Sequence, residues 1–446
     1  MITIEKPFIV EEGDFTNLKA KVKISDDTVK AYIGLKQKLP KTHWRTNEDY
    51  PPKSWENDNA FLYFSVPKEY GKYFCEDRSD AFVVAMLWYA FMTGSDIQFE
   101  APISEKMFFN ITQLLIPALC KKYKKIKLTG STINSPVPTC NAVGTGMSCG
   151  VDSLYSLKKY TAPSVPESYR LTHLAYFNMG AVFHPNTATN KHYAIDEFYK
   201  ETDRMSIEKL ENARQVATLS NLSLLYVYSN VDEDFYRGAY GYTGVYRNCA
   251  SCLSLQKLFD KYYCSSAGWP EFFDLSLSEG SEHYETLLCD AFSTESLQFI
   301  ISDYDTRLEK TEALSDYEIA HKYLDVCFNF NNCGTCSKCY RTLITLDILG
   351  KIDSFKQVFD VGKYKKNRDL AFAWLIETKN GDAKDDNVVF AKDIYDFAKW
   401  RNVAIPVKSY WLYKKKIVKN YCHTCFKRMK KFVKRILRGN KNQTAG

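Results

Sequence analysis

The sequence predicts an α/β protein built on a parallel, doubly wound sheet, with an α+β region before it and a helical, basic tail after it. Strand-like and helix-like segments alternate from about residue 140 to residue 350, which is typical of a parallel sheet covered by helices on both faces. A Gly-bearing turn at residues 148–153 separates a short apolar segment from a helix-like run. The chain has 446 residues, of which 45% are hydrophobic and 25% charged, and this is enough material for two or three domains.

These patterns divide the chain into four segments. Residues 1–135 are expected to form a separate α+β region, and residues 136–352 the domain with the parallel sheet. Residues 353–405 are predicted to be a helical region, and residues 406–446 a basic amphipathic tail.

The first segment combines predicted strands and helices. Strands are predicted at residues 29–35 and 60–66, which are rich in β-branched and aromatic residues. The stretch between them, with its three prolines Pro40, Pro51 and Pro52, is expected to be a loop. The other predicted elements are helices at 79–93 and 104–123, the second with Ser104 as its N-cap, and short strands at 96–100 and 125–128.

The second segment alternates between strand and helix patterns. The predicted elements are a strand just before the turn at Ser148, strands at 171–177, 223–228, 272–277 and 297–301, and helices directly after the turn, at 204–220 and at 245–262. Ligands of open parallel sheets bind beyond the carboxyl ends of the strands, near a point where the strand order reverses. The turn at Ser148 is expected at such an end.

The turn Ser148-Cys149-Gly150-Val151-Asp152-Ser153 has two hydroxyl side chains and a carboxylate where a helix is expected to begin. Backbone N–H groups at a helix N-terminus, together with the helix dipole, favour a bound phosphate. A Ser- and Asp-capped helix that follows an ordinary turn is the alternative interpretation.

Cysteines cluster about 180 residues later, at Cys327, Cys333, Cys336 and Cys339. Four thiolates complete a tetrahedral zinc shell, and a CxxC turn supplies two of them from one tight loop, in which Gly334 suits the bend. Because such a shell is closed, the expected role of the metal is structural. Four unrelated buried thiols, or an iron–sulfur cluster, are the alternatives.

The turn resembles the PP-loop of ATP pyrophosphatases, usually written SGGxDS, with Cys149 in place of the first glycine. A lysine followed by a CGxCxxC cluster and an arginine is similar to the 7-cyano-7-deazaguanine synthase branch of that family. The resemblance covers roughly residues 140–350, and the matching residues after the turn are Lys310, Cys327, Cys333, Cys336, Cys339 and Arg341. It implies a HUP or Rossmann-like fold. Residues 1–135 and the tail lie outside it.

The resemblance also implies roles for the matching residues. The turn residues Ser148, Cys149, Gly150, Val151, Asp152 and Ser153, with Arg307, would bind ATP. Asp152 would help to place Mg²⁺, Lys310 would neutralise charge on the departing pyrophosphate, and the four cysteines would hold Zn²⁺. Asp152 and Lys310 are the expected catalytic residues. A solvated helix face is the alternative for Arg307 and Lys310.

The expected activity is that of a ligase that forms C–N bonds and releases AMP. ATP would activate a carboxylate or amide oxygen, and a nitrogen nucleophile would attack the adenylate. The acceptor would be a small molecule or a protein. One alternative is a tRNA-modifying, thiolase-like enzyme with Cys249 or Cys252 as the sulfur carrier. The other is a non-catalytic nucleotide-sensing or defence protein, which the Cys149 replacement favours.

Weaker candidates lie elsewhere. Cys249-x-x-Cys252 is interpreted as two core thiols rather than a redox pair, and Cys422-x-x-Cys425 as half of a metal site without an obvious partner. The Gly-rich run 236–242 is a candidate substrate loop, with a purely structural loop as the alternative, and His184 is a candidate for the lining of a pocket.

The tail concentrates the positive charge. The whole chain has a net charge of +7, but residues 406–446 hold 13 Lys and Arg and no Asp or Glu, so the rest carries +7 − 13 = −6. An apolar stripe at helical spacing lies among these charges. Its members are Val418, Tyr421, Cys425, Met429, Phe432 or Val433, and Ile436. The tail is expected to contact RNA or an anionic membrane surface, with a disordered tail as the alternative.

The chain is expected to be cytoplasmic, with a peripheral position at the membrane as a variant. Its N-terminal residues lack a basic-then-apolar signal pattern, and its 14 cysteines lie partly in CxxC groups rather than in the spread pattern of disulfide staples. A homo-oligomer is left open.

Overall fold

The computed structural model describes residues 1–36, 60–120, 124–180, 194–236, 240–266, 270, 273–275, 280–327, 329–382, 385–419 and 430. The chain forms two compact units, Met1–Asn332 and Cys333–Gly446. The loop expected around Pro40, Pro51 and Pro52 lies outside the described residues.

The first unit is built on one large sheet. Its strands are β1 (Ile2–Ile4), β2 (Phe8–Glu12), β3 (Phe15–Ile24), β4 (Phe61–Pro67), β5 (Ile97–Phe99), β6 (Ile103–Ser104), β7 (Leu128–Thr129), β8 (Thr132–Ile133), β9 (Ala142–Gly146), β10 (His173–Asn178), β11 (Ser223–Ser229), β12 (Phe259–Cys264) and β13 (Gln298–Ile301). The sheet has 11 strands in the order β13-β12-β9-β10-β11-β4-β3-β1-β5-β7, with β2 paired to β3, while β6 and β8 form a separate pair. More of its strand pairs are parallel than antiparallel.

Helices cover this sheet and make up the second unit. Those of the first unit are α1 (Asp26–Lys36), α2 (Asp80–Thr93), α3 (Glu105–Phe109), α4 (Ile116–Leu119), α5 (Val151–Tyr160), α6 (Ile195–Ser220), α7 (Tyr240–Ser254), α8 (Glu285–Phe292), α9 (Arg307–Leu314) and α10 (Glu318–Tyr323). Those of the second are α11 (Ser337–Ile348), α12 (Val361–Lys366), α13 (Arg368–Lys379) and α14 (Asp386–Trp400).

The five strands β9 to β13 form the parallel part of the sheet that the alternating pattern predicts. All four pairings among them are parallel, for example Leu174 with Thr145 and Tyr263 with Thr145. Numbered along the chain, they lie in the order 3-2-1-4-5. The chain therefore winds outward from β9 in one direction and returns to continue in the other, and the order reverses between β9 and β12.

The N-terminal strands extend the same sheet. β4 pairs antiparallel with β11 through Ser65 and Tyr228, and β3, β1, β5 and β7 continue from β4. Residues 1–135, for which the sequence predicts a region of their own, therefore share their sheet with the parallel strands.

A central helix anchors this extension. Every residue of α2 is buried, as its continuous apolar sequence predicts, and Gly94 ends the helix in the left-handed region with φ 70°. Trp88 packs against Tyr32 and Tyr242 at ring-centroid distances of 6.3 and 6.0 Å. These contacts join the N-terminal helices to α7, which covers the parallel strands.

Three predicted elements differ from the structure. Residues 29–35 are helical, not a strand, because Thr28 and Tyr32, four residues apart, are the buried positions of α1. The helix predicted at 245–262 ends at Ser254, and the aromatic residues that follow form β12. The described part of the strand predicted at 272–277, residues 273–275, has no regular structure.

Most of the remaining predicted elements of the first unit correspond to observed ones, but the strand predicted at 125–128 shares only Leu128 with β7. Ser104 caps α3 by accepting a hydrogen bond from the Met107 N–H at 3.0 Å. Within the helix predicted at 104–123, residues 105–119 are helical, with a π-helical turn at Asn110–Leu115 between α3 and α4, and residues 121–123 are not described.

The second unit is helical, as the sequence of residues 353–404 predicts. Asp347 of α11 holds α12 and α13 together by accepting hydrogen bonds from the Tyr364 hydroxyl at 3.0 Å and the Arg368 guanidinium at 2.6 Å. Arg341 lies with its guanidinium 4.2 Å from the centre of the Phe390 ring. Residues 407–419, at the start of the basic tail, are helical.

Candidate functional site

The turn at Ser148 joins β9 to α5, as the sequence predicts. The Ser148 hydroxyl accepts a hydrogen bond from the Gly150 N–H at 3.3 Å and lies 3.3 Å from the Ser153 hydroxyl. The Ser153 hydroxyl also donates to the Gly150 carbonyl at 3.2 Å. Gly150 is the N-cap of α5 and has no side-chain cap hydrogen bond. The first N–H groups of Val151 to Ser153 therefore lie at an uncapped helix N-terminus, which suits an anion.

Cys149 occupies the position where the backbone bends. Its φ is +59°, in the left-handed region that favours glycine, and its side chain is only 2% exposed. Its carbonyl accepts a hydrogen bond from the Asp325 N–H at 2.8 Å. Burial raises the pKa of the Cys149 thiol to about 12, so the thiol stays protonated and poorly nucleophilic near neutral pH. The replacement of glycine thus adds a buried side chain and some backbone strain.

Lys310 meets the turn at Asp152. The Lys310 ammonium is 2.6 Å from the Asp303 carboxylate, 3.4 Å from that of Asp152, and donates to the Ser266 carbonyl at 2.7 Å. Its side chain is 1% exposed. Arg307, one helical turn earlier on α9, pairs with the other oxygen of Asp152 at 2.8 Å. The two predicted catalytic residues and the predicted cation Arg307 are therefore in direct contact.

Local sequence explains why these residues reach the turn. Thr306 and Glu309 form a reciprocal capping box, which fixes the start of α9. Asp303 follows the end of β13, Ser266 follows the end of β12, and Ser148 follows the end of β9. Because these strands are parallel and adjacent, their carboxyl ends meet at one edge of the sheet. That edge includes the point between β9 and β12 where the strand order reverses.

A buried carboxyl group completes this edge. Glu285 begins α8 and forms a hydrogen bond with the Ser266 hydroxyl. Burial raises its pKa to about 8, and the nearby charges of Cys264, Glu282 and Asp152 add to the effect. Glu285 is therefore a neutral acid near pH 7. No sequence pattern marks Glu285, because its burial depends on contacts with distant residues.

The predicted cysteine cluster forms within residues 327–339. The Sγ atoms of Cys327, Cys333, Cys336 and Cys339 lie within 4.8 Å of one another, so this group can hold a metal ion. Backbone N–H groups donate to the sulfurs: that of Asn329 to Cys327 at 3.2 Å, and that of Cys336 to Cys333 at 3.3 Å. Gly334 has φ +72°, as expected for the turn between Cys333 and Cys336. Four sulfurs at this spacing suit one tetrahedral ion.

A second group of cysteines, which was not predicted, lies within the first unit and joins residues from three different elements. The Sγ atoms of Cys249, Cys264 and Cys289 also lie within 4.8 Å of one another, and this group can likewise hold a metal ion. Cys252, which the sequence pairs with Cys249 as a CxxC motif, is fully buried and is not part of the group. The pKa of Cys264 is lowered, because the Cys249 and Cys289 thiols hydrogen-bond to it.

Other weak candidates are placed differently. In the run 236–242, Tyr236 ends a π-helical turn and Tyr242 lies in α7, and both are almost fully buried around Trp88. Their burial contradicts the prediction of a substrate loop as far as these two residues are concerned. His184, Cys422 and Cys425 lie outside the described residues.

A buried ion pair at the ends of β10 and β11 was also missed. Arg247 of α7 pairs with Asp232 at 2.6 Å and donates to the Met179 carbonyl at 2.7 Å. Gly180 has φ +118°, and a Cβ atom there would lie 2.0 Å from the Arg247 guanidinium. The pair fixes the carboxyl ends of two parallel strands beside the turn.

The tail is described only at its start. Within residues 407–419, Val407, Trp411, Ile417 and Val418 are exposed. The stripe from Tyr421 to Ile436 falls among residues that are not described, so the predicted contact with RNA or a membrane surface remains a prediction. Among the described helices, none combines the length and the apolar character needed to cross a bilayer.

Comparison with protein-family models, curated proteins and solved structures gave no match. The resemblance to PP-loop enzymes therefore stays a prediction from the sequence motifs.

The left-handed backbone at Cys149 predicts an unusual order of stability. Cys149→Gly should be more stable than Cys149→Ala by about 1 kcal/mol, because only glycine adopts this φ without strain. The buried helical residue Cys252 is the matched control, and there alanine should be the more stable by about 1 kcal/mol. Urea denaturation of the four variants measures both differences. If Cys149→Ala were at least as stable as Cys149→Gly, the left-handed φ of residue 149 would be contradicted.

The raised pKa of Glu285 predicts a pH-dependent stability. From the ordinary glutamate pKa of 4.5 up to about 8, the unfolded chain loses this proton while the folded chain keeps it. The free energy of unfolding should therefore fall with rising pH across this window, by up to a few kcal/mol. Glu285→Gln should remove that contribution, so the variant gains on the wild type as the pH rises.

Urea denaturation at pH 5, 7 and 8.5 measures the difference between the two proteins at each pH. The exposed Glu318→Gln change controls for the loss of a carboxylate from the surface. A difference between wild type and Glu285→Gln that stays constant from pH 5 to pH 8.5 would show that Glu285 ionises normally.

Proposed function

We propose that the chain is an ATP-dependent ligase of the PP-loop ATP pyrophosphatase type. It would adenylate a carboxylate or amide oxygen, release pyrophosphate, and pass the activated group to a nitrogen nucleophile. The observation that carries the proposal is the convergence of the Ser148 turn, Asp152, Arg307 and Lys310 at one edge of the parallel sheet.

The sheet supports this proposal. The strand order 3-2-1-4-5 is that of Rossmann-like, doubly wound sheets, whose ligands bind where the order reverses. The turn at Ser148 follows the central strand β9, which borders that point.

The groups at the turn suit a polyphosphate. The hydroxyls of Ser148 and Ser153 and the uncapped N-terminus of α5 offer hydrogen-bond donors, and Arg307 and Lys310 offer positive charge. These cations are balanced by the carboxylates of Asp152 and Asp303. The four charges sum to zero, so a tightly bound polyphosphate needs further positive charge, which Mg²⁺ would supply.

Oxygen donors for Mg²⁺ are present. Asp152 is partly exposed and lies beside the hydroxyls of the turn, and carboxylate and phosphate oxygens are the ligands that Mg²⁺ prefers. Bound there, Mg²⁺ would supply charge neutralisation on the phosphates. Zn²⁺ in the cluster at residues 327–339 would be structural, because four thiolates close its shell.

The first step would be an attack on the α-phosphorus of ATP by an oxygen of the acceptor carboxylate. A new P–O bond forms, and the bond between the α-phosphorus and the bridging oxygen breaks. Pyrophosphate leaves with that electron pair. Lys310, Arg307 and the N–H groups of the turn would stabilise the negative charge that grows on the leaving group.

The second step would transfer the activated group. A nitrogen nucleophile attacks the carbonyl carbon of the adenylate, AMP leaves with the electron pair of the C–O bond, and the nitrogen loses its proton to solvent or a base.

Lys310 is held rigidly for the first step by its buried contact with Asp303, which keeps its position fixed before ATP binds.

Two other functions have less support. A thiolase-like tRNA-modifying enzyme needs a reactive cysteine to carry sulfur. The two candidates, Cys249 and Cys252, are 1% and 0% exposed, and burial raises the pKa of both thiols. A nucleotide sensor without catalysis was favoured by the Cys149 replacement, but the buried position of that side chain removes the steric reason for lost catalysis.

Asp152→Asn should abolish catalysis while the fold survives. The change keeps the shape of the side chain and removes the charge that pairs with Arg307 and Lys310 and would place Mg²⁺. Release of pyrophosphate from ATP, measured with pools of carboxylates, amines and tRNA, should fall by about 10²-fold or more. Asp347→Asn is the matched control, since Asp347 also pairs with an arginine and its side chain is equally exposed at 19%.

Three outcomes are informative. Pyrophosphate release that survives Asp152→Asn would place the chemistry elsewhere. ATP binding by the wild type without pyrophosphate from any pool would support the sensor. Pyrophosphate release that depends on the tRNA pool would support the tRNA-modifying enzyme.

A further inference from the structure

Three cysteines that are far apart in the sequence meet inside the first unit. Cys249 lies in α7, Cys264 is the last residue of β12, and Cys289 lies in α8. Their Sγ atoms all lie within 4.8 Å of one another. Cys249 and Cys289 are 1% and 2% exposed, whereas Cys264 is partly exposed. Three separate elements therefore direct their thiols to one point at the border between the core and the surface.

The spacing of these sulfurs distinguishes between possible occupants. Zinc–thiolate bonds of ~2.3 Å in tetrahedral geometry place the sulfurs of one shell about 3.8 Å apart. In an iron–sulfur cube, each thiolate binds a different iron atom, and the sulfurs are spread further. Separations within 4.8 Å therefore fit a single ion.

We propose that Cys249, Cys264 and Cys289 bind one thiophilic metal ion, with Zn²⁺ as its probe. This three-sulfur site is separate from the cluster at residues 327–339. Thiolates are the ligands that thiophilic ions prefer, and no His, Asp or Glu of the described chain joins the group as a fourth ligand. One coordination position is therefore left for water or a bound substrate, as in catalytic zinc sites.

The residues that follow Cys264 in the chain connect the three-sulfur site to the Ser148 turn. Ser265 and Ser266 directly follow Cys264 in the chain. The Ser265 hydroxyl lies 3.1 Å from that of Thr145 in β9, and the Ser266 carbonyl accepts the hydrogen bond from Lys310. The three-sulfur site thus lies at the same edge of the sheet as the Ser148 turn. Metal binding itself does not depend on the proposed ligase activity.

Metal content tests the proposal on the full chain. The protein is loaded with Zn²⁺, freed of loosely bound ions on a chelating resin, and analysed by plasma mass spectrometry. The wild type should hold about two zinc ions per chain, one in each cluster. The double change Cys333→Ser and Cys336→Ser, which leaves only two thiols in the cluster at residues 327–339, should leave about one ion, and the added change Cys264→Ser should remove it. Cys252→Ser is the matched control, as Cys252 is buried three residues from Cys249 in the same helix, and it should keep both ions.

X-ray absorption at the zinc edge of the variant that carries both Cys333→Ser and Cys336→Ser tests the ligand set. Three sulfurs with one oxygen or nitrogen are expected, and four sulfurs would overturn the proposal. The absence of zinc from this variant would overturn it as well, and a circular dichroism spectrum that matches the wild type shows that the variant is folded. Zinc retained after Cys264→Ser would equally contradict it. Since no measurement contains ATP, a failed ligase assay would leave these outcomes unchanged.

Discussion

The buried ammonium group of Lys310 holds the site together. It lies between Asp303 and Asp152 and is capped by the Ser266 carbonyl, so it ties the ends of β12 and β13 to the turn after β9. A lysine with 1% of its side chain exposed is stable in its charged form only if its partners replace the lost water. Loss of one partner of a buried pair typically costs about 3–5 kcal/mol. The positions of these three strands and the electrostatics of the turn therefore depend on one another.

The need to pair the buried Lys310 ammonium explains why the edge at the carboxyl ends of the parallel strands is polar, although the strands themselves are apolar. The parallel strands pack their faces under helices, and their carboxyl ends release Ser148, Ser266 and Asp303 into one region. Arg247 and Asp232 form a similar buried ion pair after the ends of β10 and β11. The strands β4, β3, β1, β5 and β7 continue the same sheet beyond β11, and the fully buried helix α2 contributes to the core of this part.

Local signals in the sequence predicted much of the fold and of the site. The turn at Ser148 and the cysteines at 327–339 are contiguous motifs whose geometry follows from neighbouring residues, and the structure forms both as compact groups. The strands β9, β10, β11 and β13 were found because buried parallel strands are short apolar runs. Lys310 was found through its order relative to the cysteines, and its burial was not foreseen.

What the sequence could not predict depends on distant contacts. Cys249, Cys264 and Cys289 meet only because α7, β12 and α8 pack together, so the CxxC spacing of Cys249 and Cys252 does not mark the group. Helix α1 contains β-branched and aromatic residues that favour a strand, yet tertiary burial of Thr28 and Tyr32 selects the helix. Glu285 is an ordinary glutamate in the sequence and becomes a neutral acid through burial.

The central claim is that the Ser148 turn and Lys310 together bind the phosphates that leave ATP. The most direct test is a crystal structure with Mg²⁺ and an ATP analogue in which a methylene group replaces the oxygen between the α- and β-phosphates. The account predicts that the β- and γ-phosphates lie within hydrogen-bond distance of the Ser148 hydroxyl and the N–H groups at the start of α5, with the Lys310 ammonium beside them. A nucleotide bound at the amino ends of the parallel strands, or phosphates out of reach of both the turn and Lys310, would contradict it.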